Sequence, residues 1–402
     1  MSSLWEKFYA QRARTLSASS IRELLKVTQI PDIISFAGGL PAPELLPTEE
    51  VAAATAEILR THGTQALQYG PTEGYMPLRE WVADRLSTTE MHVTPENILI
   101  TTGSQQALDL LARVFLDPDD SLLIESPTYM GALQTWNMYG VRYFGVPMDE
   151  QGLLVERLEE QLQRHRPKLI YVLPTFQNPS GVTLSLERRA RLVELIERHG
   201  LLLLEDDAYA QLRYEGEDLP SLLHIAGGAA GGFPDRVFYL GTFSKVLAPG
   251  MRLGWIAAPA EVTHKLVMAK QGTDLHTPMF NQIIAYTLLS QGYLERQVPR
   301  ILPVYRERRD VMLAALERHF PAQVRWTHPE GGMFIWVTLP AAIDSADLLQ
   351  EALEQRVIFV PGRAFHATGG GANTLRLSFS NSKNERIETG IERLGQALRA
   401  LV

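Results

Sequence analysis

A single lysine in a small, mostly apolar loop is the first residue whose type and surroundings indicate a chemical role. Lys245 lies in GTFSKVLAPGMRLGW (residues 241–255), together with Thr242, Ser244 and Arg252. The pKa of a lysine amine drops readily when the amine is desolvated or placed near another cation, so lysine forms Schiff bases well. The hydroxyls can donate to phosphate oxygens and the arginine can bind one in a charge-assisted fork. The loop predicts an amine nucleophile beside a phosphate, with an exposed loop charge as the alternative.

Two turns that follow apolar runs offer contacts to an anion and to a planar ligand. After NILITT (97–102), Ser104 and Gln105 precede a helical pattern, and such a turn leaves free N–H groups for an anion. An ordinary helix N-cap by Ser104 is the alternative. Tyr129 follows SLLIES (121–126) and can stack on a planar ligand or pack as an ordinary buried loop tyrosine.

Two later turns add an amide and a pair of carboxylates. Asn178 follows KLIYVLP (168–174), where its amide can bond a ligand oxygen or serve only the Asn-Pro turn. Asp206 and Asp207 end a leucine run, and their side chains point opposite ways in a strand, so that one can face a ligand. A metal pair is the competing interpretation. The ten histidines show no ligand spacing, so we expect no metal.

An alternation of apolar runs and amphipathic stretches must position these residues. The runs at 97–102, 121–126, 168–174, 201–207 and 237–242 are typical of strands buried on both faces. The clearest intervening helix covers 184–199, with Ser185 as its N-cap and Gly200 after its end. The pattern predicts an α/β domain with a largely parallel sheet, in which ligands bind at the carboxyl ends of the strands.

The last third of the chain changes character. A helical stretch around 294–319 is followed by strands at 331–339 and 373–379. A terminal helix is predicted to start at a capping box from Ser382 to Glu385, with apolar side chains on one face at 387, 391, 394 and 398. We therefore expect an N-terminal segment (1–45) that packs with a smaller α+β domain (296–402), and a large domain between them (46–295).

Composition excludes several classes of protein. The chain has 402 residues, 45% of them apolar, and a net charge of −8, which disfavours nucleic acid as a partner. The absence of cysteine excludes disulfides and thiolate nucleophiles. The start of the chain has no signal-peptide core, and the longest aliphatic run is too short to span a bilayer. We expect a cytoplasmic protein without a membrane partner.

The combination of TFSKVLAPGMRLG, FQNPSG and DDAY is highly specific. With these motifs the chain resembles the pyridoxal-phosphate aminotransferases of fold type I, class I/II, and among them the bacterial 2-aminoadipate and kynurenine/aminoadipate enzymes. The resemblance extends from SSIRELL near the start to NTLRLS near the end. It implies pyridoxal 5'-phosphate as cofactor, a mainly parallel seven-stranded sheet in the large domain, and a smaller α+β domain.

The resemblance also implies a role for each candidate residue. Lys245 would hold the cofactor covalently and move a proton, Asp206 would pair with the pyridine nitrogen, and Tyr209 would bond the phenolic oxygen. Asn178 would share that oxygen, and Tyr129 would stack on the ring. The phosphate would be held by Ser104, Gln105, Thr242, Ser244, Arg252 and, from the neighbouring subunit, Tyr69. The enzyme would accordingly be a homodimer with shared sites.

Two arginines are expected to bind the substrate. Arg376 in NTLRLS matches the arginine that binds the α-carboxylate, with an internal salt bridge as the alternative. Arg22 in SSIRELL matches the arginine that relatives use for the distal carboxylate of aminoadipate, and Ser19 and Gly39 would line the same pocket. A helix-surface charge is the alternative for Arg22. Asn178 would also contact the substrate.

The predicted activity is transfer of an amino group by ping-pong half-reactions. The donors would be 2-aminoadipate, glutamate, leucine or aromatic amino acids, the acceptors 2-oxoglutarate or 2-oxoadipate, and the pathway lysine biosynthesis. An aromatic, branched-chain or kynurenine aminotransferase is the alternative, as is β-elimination or decarboxylation on the same scaffold. A transcription regulator of this fold would need an N-terminal DNA-binding domain, for which we see no room, and the acidic charge disfavours it.

Overall fold

The computed structural model describes residues 4–5, 7–14 and 32–401. The helices are α1 Gln11–Arg14, α2 Thr48–Ala66, α3 Met76–Leu86, α4 Ser104–Phe115, α5 Met130–Trp136, α6 Val155–Arg164, α7 Leu186–His199, α8 Leu222–Ala230, α9 Ala260–Gln271, α10 Met279–Ser290, α11 Tyr293–His319, α12 Ser345–Glu354 and α13 Asn384–Arg399. The strands are β1 Ile34–Ser35, β2 Ile98–Thr101, β3 Ser121–Ser126, β4 Arg142–Asp149, β5 Gly152–Leu153, β6 Leu169–Val172, β7 Leu202–Asp207, β8 Val237–Thr242, β9 Gly254–Ala257, β10 Arg325–Trp326, β11 Phe334–Thr338, β12 Val357–Ile358, β13 Val360–Pro361 and β14 Thr374–Ser378.

The larger sheet has the strand order β2-β9-β8-β7-β6-β3-β4-β5. Its centre, from β8 to β4, is parallel, whereas β9 runs antiparallel to both β2 and β8. The mainly parallel seven-stranded sheet is confirmed, and the two-residue β5 extends it at the β4 edge. The five strands expected from apolar runs are β2, β3, β6, β7 and β8.

The helix that the sequence marked most clearly, α7, starts and ends as predicted. The hydroxyl of Ser185 accepts a hydrogen bond from the N–H of Arg188, which satisfies one free donor of the first turn. Gly200 ends the helix in the left-handed conformation, with φ of 63°. The short connection after Gly200 returns the chain to the amino ends of the parallel strands, so that their carboxyl ends collect at the opposite edge of the sheet.

The smaller sheet is antiparallel, with the order β10-β11-β14-β13. Trp336 on β11 lies opposite Arg376 on β14, which places this arginine in the middle of the sheet. Helix α13 buries Ile387, Ile391, Leu394 and Leu398, as its apolar pattern predicted. These elements form the predicted α+β unit.

The predicted capping box of the terminal helix is wrong. Helix α13 begins at Asn384, and its N-cap is Lys383, whose side chain makes no capping hydrogen bond. Ser382 therefore lies one residue before the cap. The side chain of Asn384 donates to Glu307 on α11 at 2.7 Å, so a contact between helices helps to fix the start that the local motif was expected to fix.

The segment that begins at residue 32 packs on the C-terminal part of the chain. Strand β1 pairs in parallel with β12, and the carbonyl of Phe36 accepts the N–H of Ser378 at 2.9 Å. The expected boundary at 295/296 lies within the first turn of α11. Among the described residues, none of the helices is both long and apolar enough for a membrane span.

Candidate active site

The predicted site residues meet in one cavity of about 150 Å³ at the carboxyl edge of the larger sheet. The loops after β2, β3, β6, β7 and β8 all contribute to it. Its lining consists of Ser104, Gln105, Tyr129, Leu173, Asn178, Asp206, Ala208, Tyr209, Thr242, Ser244, Lys245, Pro249 and Arg252. Ten of these were named from the sequence as site residues, and Leu173, Ala208 and Pro249 were not.

The amine of Lys245 is hydrogen-bonded to the segment that precedes α2. Its Nζ donates to the carbonyl of Gly39 at 2.8 Å and lies 5.8 Å from the centre of the Tyr209 ring. Burial and, next to it, the positive charges of Arg376 and Arg252 lower the pKa of Lys245 to about 8. An amine that loses its proton this easily is suited to nucleophilic attack.

The carboxylate of Asp206 is almost fully buried and points into the cavity. It accepts a hydrogen bond from the hydroxyl of Tyr171 at 2.8 Å. Burial raises the pKa of Asp206 to about 6, while the Tyr171 hydrogen bond opposes that rise. Asp207 accepts from the hydroxyl of Tyr239 at 2.7 Å, so the two carboxylates face different partners, as the strand pattern predicted.

No group of three or more potential metal ligands occurs in the part of the chain that the structure describes. Each of the two adjacent aspartates is instead bonded by a tyrosine hydroxyl. The lining of the cavity thus offers a single buried carboxylate to a ligand.

A chain of hydrogen bonds links the amide, the tyrosine and the arginine. Nδ2 of Asn178 donates to the hydroxyl of Tyr209 at 3.3 Å, and Oδ1 accepts from Arg376 at 2.8 Å. Arg376 also donates to the carbonyl of Ala37 at 2.6 Å, and its guanidinium lies 4.2 Å from the ring centre of Phe334. Its partners among the described residues are an amide, a carbonyl and a ring, and none of them forms the internal salt bridge considered as an alternative.

The guanidinium of Arg376 keeps one free donor. The side chain is 2% exposed, and its Nε has no hydrogen-bond partner among the described residues. Burial lowers the pKa of Arg376 to about 10, which still leaves it cationic at neutral pH. A buried cation with an unused donor is costly until an anion binds.

The start of α4 forms one wall of the cavity. Gly103 is the N-cap, with φ of 76°, and Ser104 is the first helical residue, so the alternative of an ordinary N-cap by Ser104 is wrong. A Cβ on Gly103 would lie 2.6 Å from Nη2 of Arg252, which shows how closely the guanidinium approaches the turn. The hydroxyl of Thr242 donates to that of Ser244 at 3.0 Å, and Gln105 donates to the carbonyl of Gly131 at 2.9 Å.

Among the predicted residues that the structure describes, Tyr69 stands apart from this cavity. Tyr69 is 78% exposed, does not line the cavity and touches His276 edge to face. Arg22 and Ser19 lie outside the described residues. Gly39 is the acceptor of the Lys245 amine, which places the segment around it against the site.

The sequence missed Tyr171, Glu125 and Gln177, which support the lining residues from behind. Tyr171 and Glu125 lie inside the apolar runs of β6 and β3, where nothing local distinguished them from core residues. Gln177 precedes Asn178 in the FQNPSG motif, and its place in that motif was the available signal.

The residues present fit pyridoxal phosphate on three counts. A helix N-terminus with hydroxyls and an arginine suits a phosphate. A buried carboxylate suits a protonated ring nitrogen, and an amine with a lowered pKa suits an aldehyde. The free Nε of Arg376 leaves a place for a substrate anion.

Comparison with known proteins agrees with this arrangement. Residues 31–394 match the family model for aminotransferase class I and II. The chain belongs to this family. Its cofactor is pyridoxal phosphate and its activity is that of an aminotransferase.

Individual relatives cover the chain along almost its whole length. The aminotransferase is 50% identical to a 2-aminoadipate transaminase of Thermus thermophilus, over 99% of this chain and 98% of the relative. It is 45% identical to aromatic-amino-acid aminotransferase 1 of Thermococcus litoralis, over 98% of this chain and 95% of the relative. A solved alpha-aminoadipate aminotransferase of Thermus thermophilus, complexed with N-(5'-phosphopyridoxyl)-L-leucine, superimposes with a TM-score of 0.93 at 49% identity and 100% coverage of both chains.

Proposed function

We propose that this aminotransferase takes the amino group of L-2-aminoadipate or glutamate and gives it to 2-oxoglutarate or 2-oxoadipate, in lysine biosynthesis. The observation that carries the substrate assignment is the buried Arg376, whose free Nε can bind the α-carboxylate of an amino acid. The 50% identity to a 2-aminoadipate transaminase supports the donor.

The proposed roles of the lining residues follow from their surroundings. When bound, pyridoxal phosphate supplies an electron sink for the carbanion that forms at the substrate Cα. Asp206 keeps a proton on the ring nitrogen, and Asn178 with Tyr209 holds the phenolic oxygen. Lys245, whose pKa is low enough to lose and regain a proton, is the acid and base at Cα.

The phosphate is proposed to lie at the N-terminus of α4. The hydroxyls of Ser104, Thr242 and Ser244 and the guanidinium of Arg252 donate to it there. Gln105 and Tyr129 also line the cavity, where Gln105 would help to hold the phosphate and Tyr129 would stack on the ring.

Arg22 is proposed to bind the distal carboxylate of the donor, with Ser19 and Gly39 beside it. We would titrate the holoenzyme with L-2-aminoadipate and separately with L-leucine, following the cofactor's visible absorbance, in wild type and in Arg22→Ala. The expected result is a selective loss of about 10- to 100-fold in affinity for aminoadipate, because one charge-assisted hydrogen-bonded pair is removed. Equal responses in both proteins would mean that Arg22 is a surface charge.

An aromatic or branched-chain aminotransferase is the second candidate. The observations in its favour are the Thermococcus relative and the leucine adduct in the solved Thermus structure. A donor preference for leucine or phenylalanine that is unaffected by Arg22→Ala would establish it.

A homodimer with shared sites is proposed from the position of Tyr69. This tyrosine and Leu67 and Leu275 are exposed, a combination suited to contact with a second copy. Separately inactive Tyr69→Ala and Lys245→Ala chains, refolded together, should recover about a quarter of the wild-type activity, since only mixed dimers contain one complete site. No recovery would contradict sharing.

The division into 1–45, 46–295 and 296–402 is also proposed. The pairing of β1 with β12 supports placing the N-terminal segment with the smaller unit. The cytoplasmic location stays a prediction.

A further inference from the structure

A buried carboxylate lies behind two of the loops that line the cavity. Glu125 on β3 is 1% exposed. A single oxygen, Oε2, accepts hydrogen bonds from the N–H of Leu173 and from Nε2 of Gln177, both at 3.1 Å. No cation among the described residues would offset the charge of its ionised form. A group that is costly to bury in this way needs a reason to be retained.

The partner amide connects two loops. Nε2 of Gln177 donates to the carbonyl of Pro127 at 2.8 Å as well as to Glu125. Its Oε1 accepts from the N–H of Ser180 at 2.8 Å and from its hydroxyl at 2.7 Å. Pro127 lies two residues before Tyr129, and Gln177 comes directly before Asn178. The amide thus fixes the distance between the loop of Tyr129 and the loop of Asn178.

A change in the distance between the loops of Tyr129 and Asn178 would displace groups at the reacting centre. Asn178 is hydrogen-bonded to both Tyr209 and Arg376, so a shift of its loop moves three groups together. Misplacement of catalytic groups by about 1 Å can cost about 100-fold in rate.

We propose that Glu125 is a positioning residue which, through Gln177, holds Tyr129 and Asn178 at the spacing that the cofactor ring requires. It touches neither cofactor nor substrate. The proposal rests on the cofactor assignment and is independent of which amino donor is preferred.

The charge of Glu125 is not needed for this role. Burial, together with the negative charge of Asp206 on β7, raises the pKa of Glu125 to about 8, which favours the neutral acid at neutral pH. Tyr171 on β6 and Asp206 are the titratable groups that face it. Since one oxygen accepts both hydrogen bonds, the amide oxygen of a glutamine can replace it.

The test compares Glu125→Leu with Glu125→Gln. The readouts are the dissociation constant of pyridoxal phosphate from the folded apoprotein, followed by tryptophan fluorescence, and kcat/KM for the best donor. Glu125→Leu is expected to weaken cofactor binding and to lower kcat/KM by about 10- to 100-fold. Glu125→Gln is expected to stay within about 3-fold of wild type, because both hydrogen bonds survive.

Glu205 supplies the matched control. It is fully buried on β7, but its two oxygens accept the N–H groups of Leu222 and Leu223 at the start of α8, away from the cavity. Glu205→Gln should lower Tm and leave both constants unchanged. Should Glu125→Leu not fold, Gln177→Leu cuts the same link and must show the same losses. A folded Glu125→Leu protein with wild-type constants, or an equally impaired Glu125→Gln protein, would overturn the proposal.

Discussion

At the scale of single residues, the site depends on groups whose protonation is shifted by burial. Lys245 and Asp206 lie in the same cavity, and burial moves their pKa values toward each other, to about 8 and about 6. Both groups therefore exchange protons near neutral pH, the range in which acid and base catalysis is most effective.

The pH dependence of cofactor capture follows from the pKa of Lys245. Below pH 8 the amine of the apoprotein is mostly protonated and cannot attack the aldehyde, and above pH 8 it is free. The capture rate should rise with pH through about 8 and then level off, well below the ordinary lysine pKa of 10.5. Stopped-flow absorbance of the cofactor measures it, with Lys245→Ala as the blank. An inflection near 10.5 would contradict the lowered pKa.

A second prediction concerns the tyrosine behind Asp206. Tyr171→Phe removes a hydrogen bond to a carboxylate, which is worth about 1.5 to 3 kcal/mol, so the affinity for pyridoxal phosphate should fall about 10-fold. Tyr239→Phe removes the equivalent bond to Asp207 and is the control. It should lower Tm similarly and leave the affinity unchanged, and equal affinities in the two variants would refute the role of Tyr171.

At the scale of elements, the pattern of apolar residues predicted the strands that local composition alone identifies. Runs such as those of β7 and β8 were found because strands buried on both faces are continuously apolar. Strand β4 was missed, since it is only partly buried and contains Gly145 and Pro147. Strand β9 was missed because its first two residues, Gly254 and Trp255, were assigned to the loop of Lys245.

The site, like the secondary structure, could be predicted only in part from the sequence. Residues that directly follow a strand were identified because topology brings strand ends together. Glu125 was not, because its function depends on Gln177, which is 52 residues away along the chain. A hydrogen-bond partner that is so distant in sequence produces no recognisable local motif.

The turn before α4 gives a prediction at this scale. Gly103→Ala introduces a Cβ 2.6 Å from Nη2 of Arg252 at a positive φ, so the arginine must move. Affinity for the cofactor phosphate should fall about 10-fold and stability by about 1 kcal/mol. Gly63→Ala on α2, where nothing lies within 4 Å, is the control and should be neutral or stabilising. Titration with pyridoxal phosphate and thermal melts measure both variants, and a normal affinity in Gly103→Ala would be inconsistent with this geometry.

At the scale of the whole molecule, an ion network joins the loop after β7 to helix α11. Glu215 accepts from the nearly buried Arg309 at 2.7 Å and from Arg306 at 3.2 Å. These contacts connect the larger-sheet region to the helix that leads into the smaller sheet.

Loss of this network should reduce global stability. Glu215→Gln leaves the buried Arg309 with Asp310 as its remaining carboxylate partner, which should cost about 1 to 3 kcal/mol. Glu57→Gln breaks an exposed pair with Arg60 within α2 and should cost less than about 0.5 kcal/mol. Chemical denaturation measures the difference, and equal losses would show that Arg309 finds other partners.

The hydrogen bond from Arg376 to Ala37 joins residues 339 positions apart. The larger sheet is complete once residue 257 has left the ribosome, whereas β14 emerges more than a hundred residues later. Synthesis from the N-terminus therefore supplies every residue that lines the cavity before it supplies the arginine proposed to bind the substrate.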